Sequence, residues 1–421
     1  MREMKSSGVK WIGEIPENWK TVKVKQAFVR KNEKAKQENP VILSLARSGV
    51  KVRDVSTNEG QVAESYYNYN PVSVGDLLLN PMDLYSGANC SISDVEGVIS
   101  PAYVNLRSRN GYYSKFYDYY FKVQYWMMVL FAHGKGVSFD NRWTLNNETL
   151  MNFPIVSPDY DTQRRIADFL DDKCGKIDRY IEKQQQIIDK LKEYKQAVIT
   201  EAVTKGLNPD VPMKDSGIEW IGMIPEHWEI KKLKYATEIM RGKFNHRPRN
   251  DPDYYDGQYP FIQTGDIART TKYITEYSQT LNQKGYEVSK EFPAESVVMT
   301  IAANVADVSI LNFKACFPDS VVGFLPKDID KLFLFYSLKA MRQQLLRNAI
   351  ISTQLNLNIE IIKEEFVAIP PKSEQIQIVD FLEVKCSEID LAIAKQTNII
   401  EKLTEYKKSL IYEVATGKME V

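Results

Sequence analysis

Two stretches of this sequence occur twice. SGVKWIGEIPENW at residues 7 to 19 returns as SGIEWIGMIPEHW at 216 to 228, an offset of 209. TQRRIADFLDDKCGKIDRYIEKQ at 162 to 184 returns as EQIQIVDFLEVKCSEIDLAIAKQ at 374 to 396, an offset of 212. The second match continues through KLKEYKQAVITEAVT (190 to 204) and KLTEYKKSLIYEVAT (402 to 416). Paired runs this long do not arise by chance, so the chain is a tandem duplication of a unit of about 210 residues. Between the shared stretches, residues 20 to 160 and 229 to 370 look unalike. Two copies are too few for a solenoid, and 421 residues are enough for two sizeable cores. The duplication therefore predicts two domains, each followed by a helical arm.

The arms carry an apolar stripe. In the first it runs through Ile177, Ile181, Ile188, Leu191 and Val198, broken only by Gln184 and Lys195. In the second it runs through Ile389, Ile393, Ile400, Leu403 and Leu410, broken at the equivalent Gln396 and Lys407. A period near 3.5 predicts a coiled-coil seam. An arm of about 40 residues would be roughly 60 Å long, and must bury its stripe to persist. The economical solution packs the two arms antiparallel on each other; a dimerisation coiled coil is the alternative that the pattern leaves open. Thr162 and Ser373 are the expected N-caps, and Pro370 and Pro371 stop the preceding element. The expected boundaries are a domain at 1–160, an arm at 161–205, a polar linker at 206–215, a second domain at 216–371, and an arm and tail at 372–421.

Both domains alternate short apolar runs with turn signals. VILSLA (41 to 46), DLLLN (76 to 80), AYVNL (102 to 106), PFIQT (260 to 264), SVVMTIA (296 to 302) and VVGFL (321 to 325) read as strands. Segments 116 to 131 and 329 to 347 read as helices, giving α+β domains with a curved or barrel-like sheet. Tyr112, Tyr113, Tyr117, Tyr119 and Tyr120 have the spacing of core packing more than of a base-stacking platform. Basic tracts occupy equivalent places in the two halves. Residues 20 to 36 hold seven Lys or Arg against Glu33 alone, and 231 to 249 hold seven against Glu238 alone. Such arrays suit backbone phosphates.

Global composition is neutral, with 55 basic and 55 acidic residues, so any nucleic-acid footprint must be local. Cys90, Cys174, Cys316 and Cys386 are far apart, and so are His133, His227 and His246, which leaves no disulfide framework or metal motif. No apolar run is long enough to span a membrane and no secretory pattern opens the sequence, which predicts a cytoplasmic protein. Phosphate-binding and dinucleotide-binding glycine loops are absent. Asn80-Pro81-Met82-Asp83 lacks the second proline and aromatic of an amino-methyltransferase motif and reads as a turn. The chain is expected to be non-catalytic, with no metal or cofactor of its own.

Over essentially its whole length the sequence resembles the specificity subunits of type I restriction–modification enzymes. The resemblance rests on the duplicated S-G-[IV]-x-W-I-G-x-I-P-E-x-W segment and on the P-P-x-x-E-Q-x-x-I-x-x-F-L run at Pro370, Pro371, Glu374, Gln375, Ile378, Phe381 and Leu382. The first copy keeps part of that run, at Pro158, Gln163, Ile166, Phe169 and Leu170. A further point of likeness is Ser352-Thr353-Gln354-Leu355-Asn356, replaced in the first half by Ser138-Phe139-Asp140-Asn141-Arg142.

The resemblance implies two target recognition domains, each reading one half of a split double-stranded DNA site. They would be separated by two long helices packed as an antiparallel coiled coil. It further implies two modification subunits that carry S-adenosylmethionine and methylate adenine, and restriction (motor–nuclease) subunits that can join. A two-domain scaffold for protein partners is the competing reading. Expected phosphate contacts are Arg30, Lys31, Lys34, Lys36, Arg241, Lys243, Arg247 and Arg249. Expected base contacts, on loops flanking the strands, are Arg47, Lys135 and Arg142 in the first domain. In the second they are Gln263, Thr264, Arg269, Gln354 and Asn356. Gln and Asn pair bidentately with adenine, and Arg with guanine.

Overall fold

The computed structural model describes residues 3–55, 63–82, 84–85, 89–136, 143–351 and 355–421. The chain is α+β and divides into two units. Unit 1 is Met1–Gln185 with Asn398–Val421; unit 2 is Gln186–Thr397. Each unit therefore combines one domain with part of both arms.

The repeated opening segment forms the same hairpin twice. Met4–Ser6 pairs with Glu14–Pro16, and Met213–Asp215 with Met223–Pro225, in the same register. The expected linker thus ends in a paired strand. Behind each hairpin a tryptophan, Trp19 or Trp228, is wholly buried. Each meets a glycine that ends an arm. Gly417 (φ +76°) lies against Pro16 and Trp19 in unit 1, and Gly206 (φ +75°) against Trp228 and Pro225 in unit 2. Left-handed backbone at a helix C-terminus favours glycine, and here the missing Cβ also makes room for an indole.

Each domain opens and closes on one strand pair. Lys20–Lys23 pairs with Pro154–Ser157, and Glu229–Lys232 with Phe366–Ile369. The second strand of each pair leads directly into an arm, so the pairing fixes where the arm leaves the domain. Between these ends the domains differ. Unit 1 has an antiparallel sheet in the order Phe28–Lys31, Val104–Ser108, Leu77–Leu79, Cys90–Ile92. Unit 2 has a five-stranded sheet ordered Thr237–Arg241, Val321–Pro326, Val297–Thr300, Val308–Leu311, Tyr273–Ile274, and a separate four-stranded sheet. Among the described residues these sheets are small and open rather than barrel-like. PFIQT is a strand only to Phe261. Its last residues turn into the helix Thr264–Ala268, because the Asp266 carboxylate accepts the Gln263 N–H at 2.8 Å.

One helix in each domain, Ser114–Trp126 and Lys331–Ala340, packs on the core. Tyr117 and Tyr120 are fully buried, as expected of core tyrosines. Both helices are tied to an arm by a buried glutamine. Gln163 accepts from the Tyr113 N–H (2.7 Å) and donates to the Pro158 (2.8 Å) and Gly111 (3.2 Å) carbonyls. Gln375 accepts from the Asp330 N–H (2.7 Å) and donates to the Pro370 carbonyl (2.8 Å). A Gln side chain supplies one acceptor and two donors at a fixed spacing, so it satisfies an unpaired helix N-terminal N–H and a carbonyl together. That is the physical content of the repeated Glu-Gln or Thr-Gln step.

The arms are the helices Tyr160–Lys205 and Lys372–Ala415. Thr162 and Ser373 therefore lie inside the first turn rather than capping it. Asp159 accepts the Thr162 N–H at 2.8 Å, and the Thr162 hydroxyl donates to the same carboxylate. In unit 1 the beginning of the first arm (Ile166, Leu170, Cys174, Ile177) packs with the end of the second (Leu410, Ile411, Val414). In unit 2 the end of the first arm (Ile199, Ala202, Val203) packs with the beginning of the second (Ile378, Val379, Leu382, Cys386).

The expected seam is present but broadened. Ile177, Ile188, Ile389 and Leu410 are buried, and Ile181, Leu191, Val198, Ile393, Ile400 and Leu403 are half-buried. Ile199 and Val203 are more buried than Val198, because the second domain covers that face. Two of the expected polar breaks are ion-paired across the arms. Lys195 reaches both Asp390 oxygens (2.7 and 2.6 Å) in unit 2, and Lys407 both Asp178 oxygens (2.6 Å each) in unit 1. The two pairs are equivalent under the 212-residue repeat.

Candidate nucleic-acid interface

The first basic tract lies largely on the strand Phe28–Lys31 and the segment after it. The structure commits Lys31 internally: its ammonium donates to Asp76 (3.1 Å) and Ser73 (3.3 Å). Asp76 is itself buried and also binds Arg107 (2.8 Å), Asn105 (3.3 Å) and the Ser73 N–H (2.8 Å). A buried carboxylate needs such partners, so Lys31 serves the fold first. Arg30 is half-buried; Lys34 and Lys36 are exposed, with Lys34 donating to Asn70 at 3.2 Å.

The second tract divides into two. Its beginning is held internally: Lys232 and Lys234 both hold Glu364 (2.6 and 2.5 Å), and these hydrogen bonds bring the Glu364 carboxyl down to about 2. Its end gathers on a single acid. Arg249 binds the Asp319 carboxylate at 2.5 Å, Arg247 lies 3.6 Å from it, and the Arg241 guanidinium donates to the Asp319 carbonyl at 2.7 Å. Arg247 also donates to the Phe244 and His246 carbonyls at 2.7 Å. Gly242 allows this convergence, since a Cβ there would sit 2.2 Å from the Pro318 carbonyl oxygen. Lys243 is exposed, its backbone held by the Phe317 carbonyl and the Ser289 hydroxyl (2.9 Å each). Three guanidiniums against one carboxylate leave net positive charge on this surface of unit 2.

The base-contact candidates fall into separate places. Asp266, buried, organises one group: it accepts the Gln263 N–H, binds Arg269 at 2.5 Å and accepts the Ser278 hydroxyl at 3.0 Å. Gln263 spends its amide on Gln279 (2.8 Å), while the Arg269 side chain remains 69% exposed, anchored at one end and open at the other. Thr264 begins the same short helix. Asn356 is exposed on the strand Leu355–Asn356. Lys135 is exposed on a backbone bridge to Thr144. Arg47 faces elsewhere, lining a hollow beside Tyr119, Lys407 and Lys408 on the arm side of unit 1. Arg142 and Gln354, with all of Ser138–Arg142 and residues 352–354 of the Ser352–Asn356 segment, lie outside the described residues.

Sequence reasoning missed Asp76, Asp266 and Asp319, the acids that position the basic groups. A lone Asp carries no periodic signal; its role depends on what the fold brings beside it. The paired glutamines were visible in the repeat but had no assigned partner. No group of three or more His, Cys, Asp or Glu able to hold a metal occurs among the described residues. No described helix is long and apolar enough to cross a membrane.

A family model described as the type I restriction modification DNA specificity domain matches residues 225–404. A Methanocaldococcus jannaschii chain assigned as the specificity subunit of type I restriction enzyme MjaX is 25% identical over 440 residues, covering 97% of this chain and 96% of its own. The MjaVIII specificity subunit of the same organism is 23% identical over 434 residues, covering 97% and 94%. A chain from a solved structure, described as the structural basis of complex assembly and conformational transition of the type I R-M system, shares the fold. It has a TM-score of 0.70 at 14% identity, over 96% of this chain and 99% of that one. Residues 225–404 thus match the type I restriction modification DNA specificity domain, and nearly the whole chain is similar to type I restriction enzyme specificity subunits.

Proposed function

We propose that this chain is the non-catalytic DNA-reading subunit of a type I restriction–modification complex. Its two domains are target recognition domains, each reading one half of a bipartite duplex site. Its arms form an antiparallel coiled-coil spacer that separates the half-sites and holds two modification subunits. Those subunits supply S-adenosylmethionine and methylate adenine, and restriction subunits can join them. Both of these ideas come from the family rather than from this chain; a cytoplasmic setting is the expectation drawn from the sequence.

One observation carries the reading: hairpin, buried tryptophan, anchoring glutamine and arm ion pair are repeated, whereas the sheets between them differ. A frame kept twice around two unlike domains suits a molecule that places two different readers in one setting. Phosphate contact is assigned to Arg241, Lys243, Arg247, Arg249, Lys34 and Lys36, with Arg30 and Lys31 as supports. Base reading is assigned to Arg269, Thr264, Gln263 and Asn356 in the second domain and to Lys135 in the first, with Arg142 and Gln354 as sequence-based candidates. Arg47 belongs to the surface beside the arms. Selection of bound sequences from a randomised duplex pool tests the proposal. It expects two short fixed elements separated by a gap of constant length; a single continuous element, or none, would refute it.

A further inference from the structure

The helices Ser114–Trp126 and Lys331–Ala340 place a lysine at the same position and treat it oppositely. The anchoring glutamines fix the register: Gln163 meets the Tyr113 N–H and Gln375 the Asp330 N–H, so Lys122 is equivalent to Lys339 and Asp118 to Phe335. In unit 1 Asp118 lies one turn before the lysine and pairs with it at 2.6 Å. In unit 2 that place holds the Phe335 ring, with the Lys339 ammonium 4.6 Å from its centroid. Lys339 donates to the Thr271 carbonyl at 2.9 Å and forms no ion pair among the described residues. Burial opposes the charge of both lysines. At Lys122 the Asp118 carboxylate more than offsets it, and the amine stands above its ordinary value. At Lys339 burial is joined by the nearby Lys195 ammonium, and the amine falls to about 8.

The Lys339 side chain is half-buried and borders two adjoining open hollows of unit 2, of about 340 and 730 Å³. The three acids of their lining are already taken: Asp390 by Lys195 at 2.6 Å, Asp307 by Arg342 at 2.5 Å, and Glu383 by Lys272. Lys339 and the exposed Lys192 are left as the cations of the lining without an ion pair among the described residues. A small molecule can therefore reach the Lys339 nitrogen, and an anion formed there would lie among Lys192, Lys195 and Arg342.

We propose that Lys339 is a covalent modification site for carbon dioxide, its side chain becoming a lysine carbamate held in the hollow by the surrounding cations. The nitrogen lone pair forms a C–N bond to the carbon, one C=O electron pair moves onto oxygen, and the proton lost from nitrogen passes to water. No leaving group and no oxidant or reductant is needed. A buried lysine without a counter-ion supplies the neutral amine that such an addition requires. Near pH 7.4 about a fifth of the Lys339 amine is neutral, against about one part in a thousand for an ordinary lysine. Carbon dioxide is favoured over an acyl donor by the product: a carbamate is an anion placed among cations, whereas an amide is neutral and gains nothing from them. The carbamate would also tie the domain helix to the first arm, beside the bond from the Gln196 amide to the Lys339 carbonyl at 3.1 Å. This inference does not depend on the DNA-reading role.

The test incubates the full chain with isotope-labelled bicarbonate near neutral pH, traps carbamates with a trialkyloxonium salt, and maps the label by peptide mass spectrometry. Lys339 should carry at least about tenfold more label than Lys122 or Lys192 in the same digest, well within the difference in neutral fraction. Lys195→Met removes both the charge that depresses the amine and a partner of the carbamate, and should cut the label severalfold. Lys195→Arg keeps the charge and should retain it. Limiting acetic anhydride should likewise reach Lys339 before Lys122. A label at Lys339 no greater than at Lys122 overturns the proposal, as does equal label in the wild type and a folded Lys195→Met chain. Preferential acetylation of Lys339 without any trapped carbamate overturns it too, leaving a reactive amine that does not take carbon dioxide.

Discussion

Replacing Gln375 with leucine should loosen the second domain from its arm and leave unit 1 intact. The side chain is 1% exposed. It satisfies the Asp330 N–H at 2.7 Å and the Pro370 carbonyl at 2.8 Å, the first being an N-terminal donor of the helix Lys331–Ala340. Leucine fills most of the volume but makes neither bond. Each buried group left unpaired costs about 1–3 kcal/mol, so the expected loss is about 2–6 kcal/mol. That is a large part of the roughly 5–15 kcal/mol that holds a domain folded. Gln163→Leu strands three partners instead of two and should cost unit 1 more. Hydrogen exchange read by mass spectrometry separates the units: amides of 330–340 should exchange faster in the first variant, and those of 113–126 in the second. A loss under about 1 kcal/mol, or equal acceleration in both units, would refute the assignment of these glutamines as anchors.

Further outcomes follow from the same structure. Lys339 is held near 8 in the folded chain against an ordinary value of 10.5, so above pH 8 the unfolded chain keeps a proton that the folded one releases. Stability of unit 2 should therefore rise between pH 8 and 10.5, and a urea titration should find that rise reduced in Lys339→Met. At Gly417 an added Cβ would lie 2.6 Å from Pro16 and 2.9 Å from Trp19, against 3.1 Å to Trp228 at Gly206. Both glycines have positive φ, so each alanine variant should lower the melting temperature of its own unit, Gly417→Ala more. A double-mutant cycle on Lys195 and Asp390 should give a coupling of about 0.2–1 kcal/mol, since the pair is partly exposed. Asp319→Asn should release Arg247 and Arg249 and strengthen binding to all duplexes alike, with a steeper salt dependence. A change in the selected sequence at constant slope would count against the phosphate role.

The frame of this molecule was legible in the sequence because its signals are periodic or repeated. Both arms, both hairpin segments and the places of the polar breaks show in the repeat and in the spacing of apolar residues. The domain sheets were legible only as isolated runs such as DLLLN and VVGFL, since strand order depends on pairings between residues far apart in sequence. The basic tracts were visible, but their availability was not. Lys31, Lys232 and Lys234 have the same composition signal as Lys243, and only the fold shows that Asp76 and Glu364 occupy the first three. The matching of the two domain helices was hidden for a related reason. Tyr119 and Lys122 become equivalent to Tyr336 and Lys339 only after Gln163 and Gln375 fix the register of two otherwise unlike helices.

The central claim is that each domain reads one half of the target independently, within a frame that sets the gap. Its most direct test replaces residues 24 to 153, between the first domain's closing strands, with the matching segment of a specificity subunit that recognises a different site. Adenine methylation is then mapped on a randomised duplex library, with modification subunits and S-adenosylmethionine supplied. The account predicts that one half-site changes to the donor's, while the other half-site and the gap between them stay as they were. A change in both half-sites, or in neither while methylation persists, would contradict it.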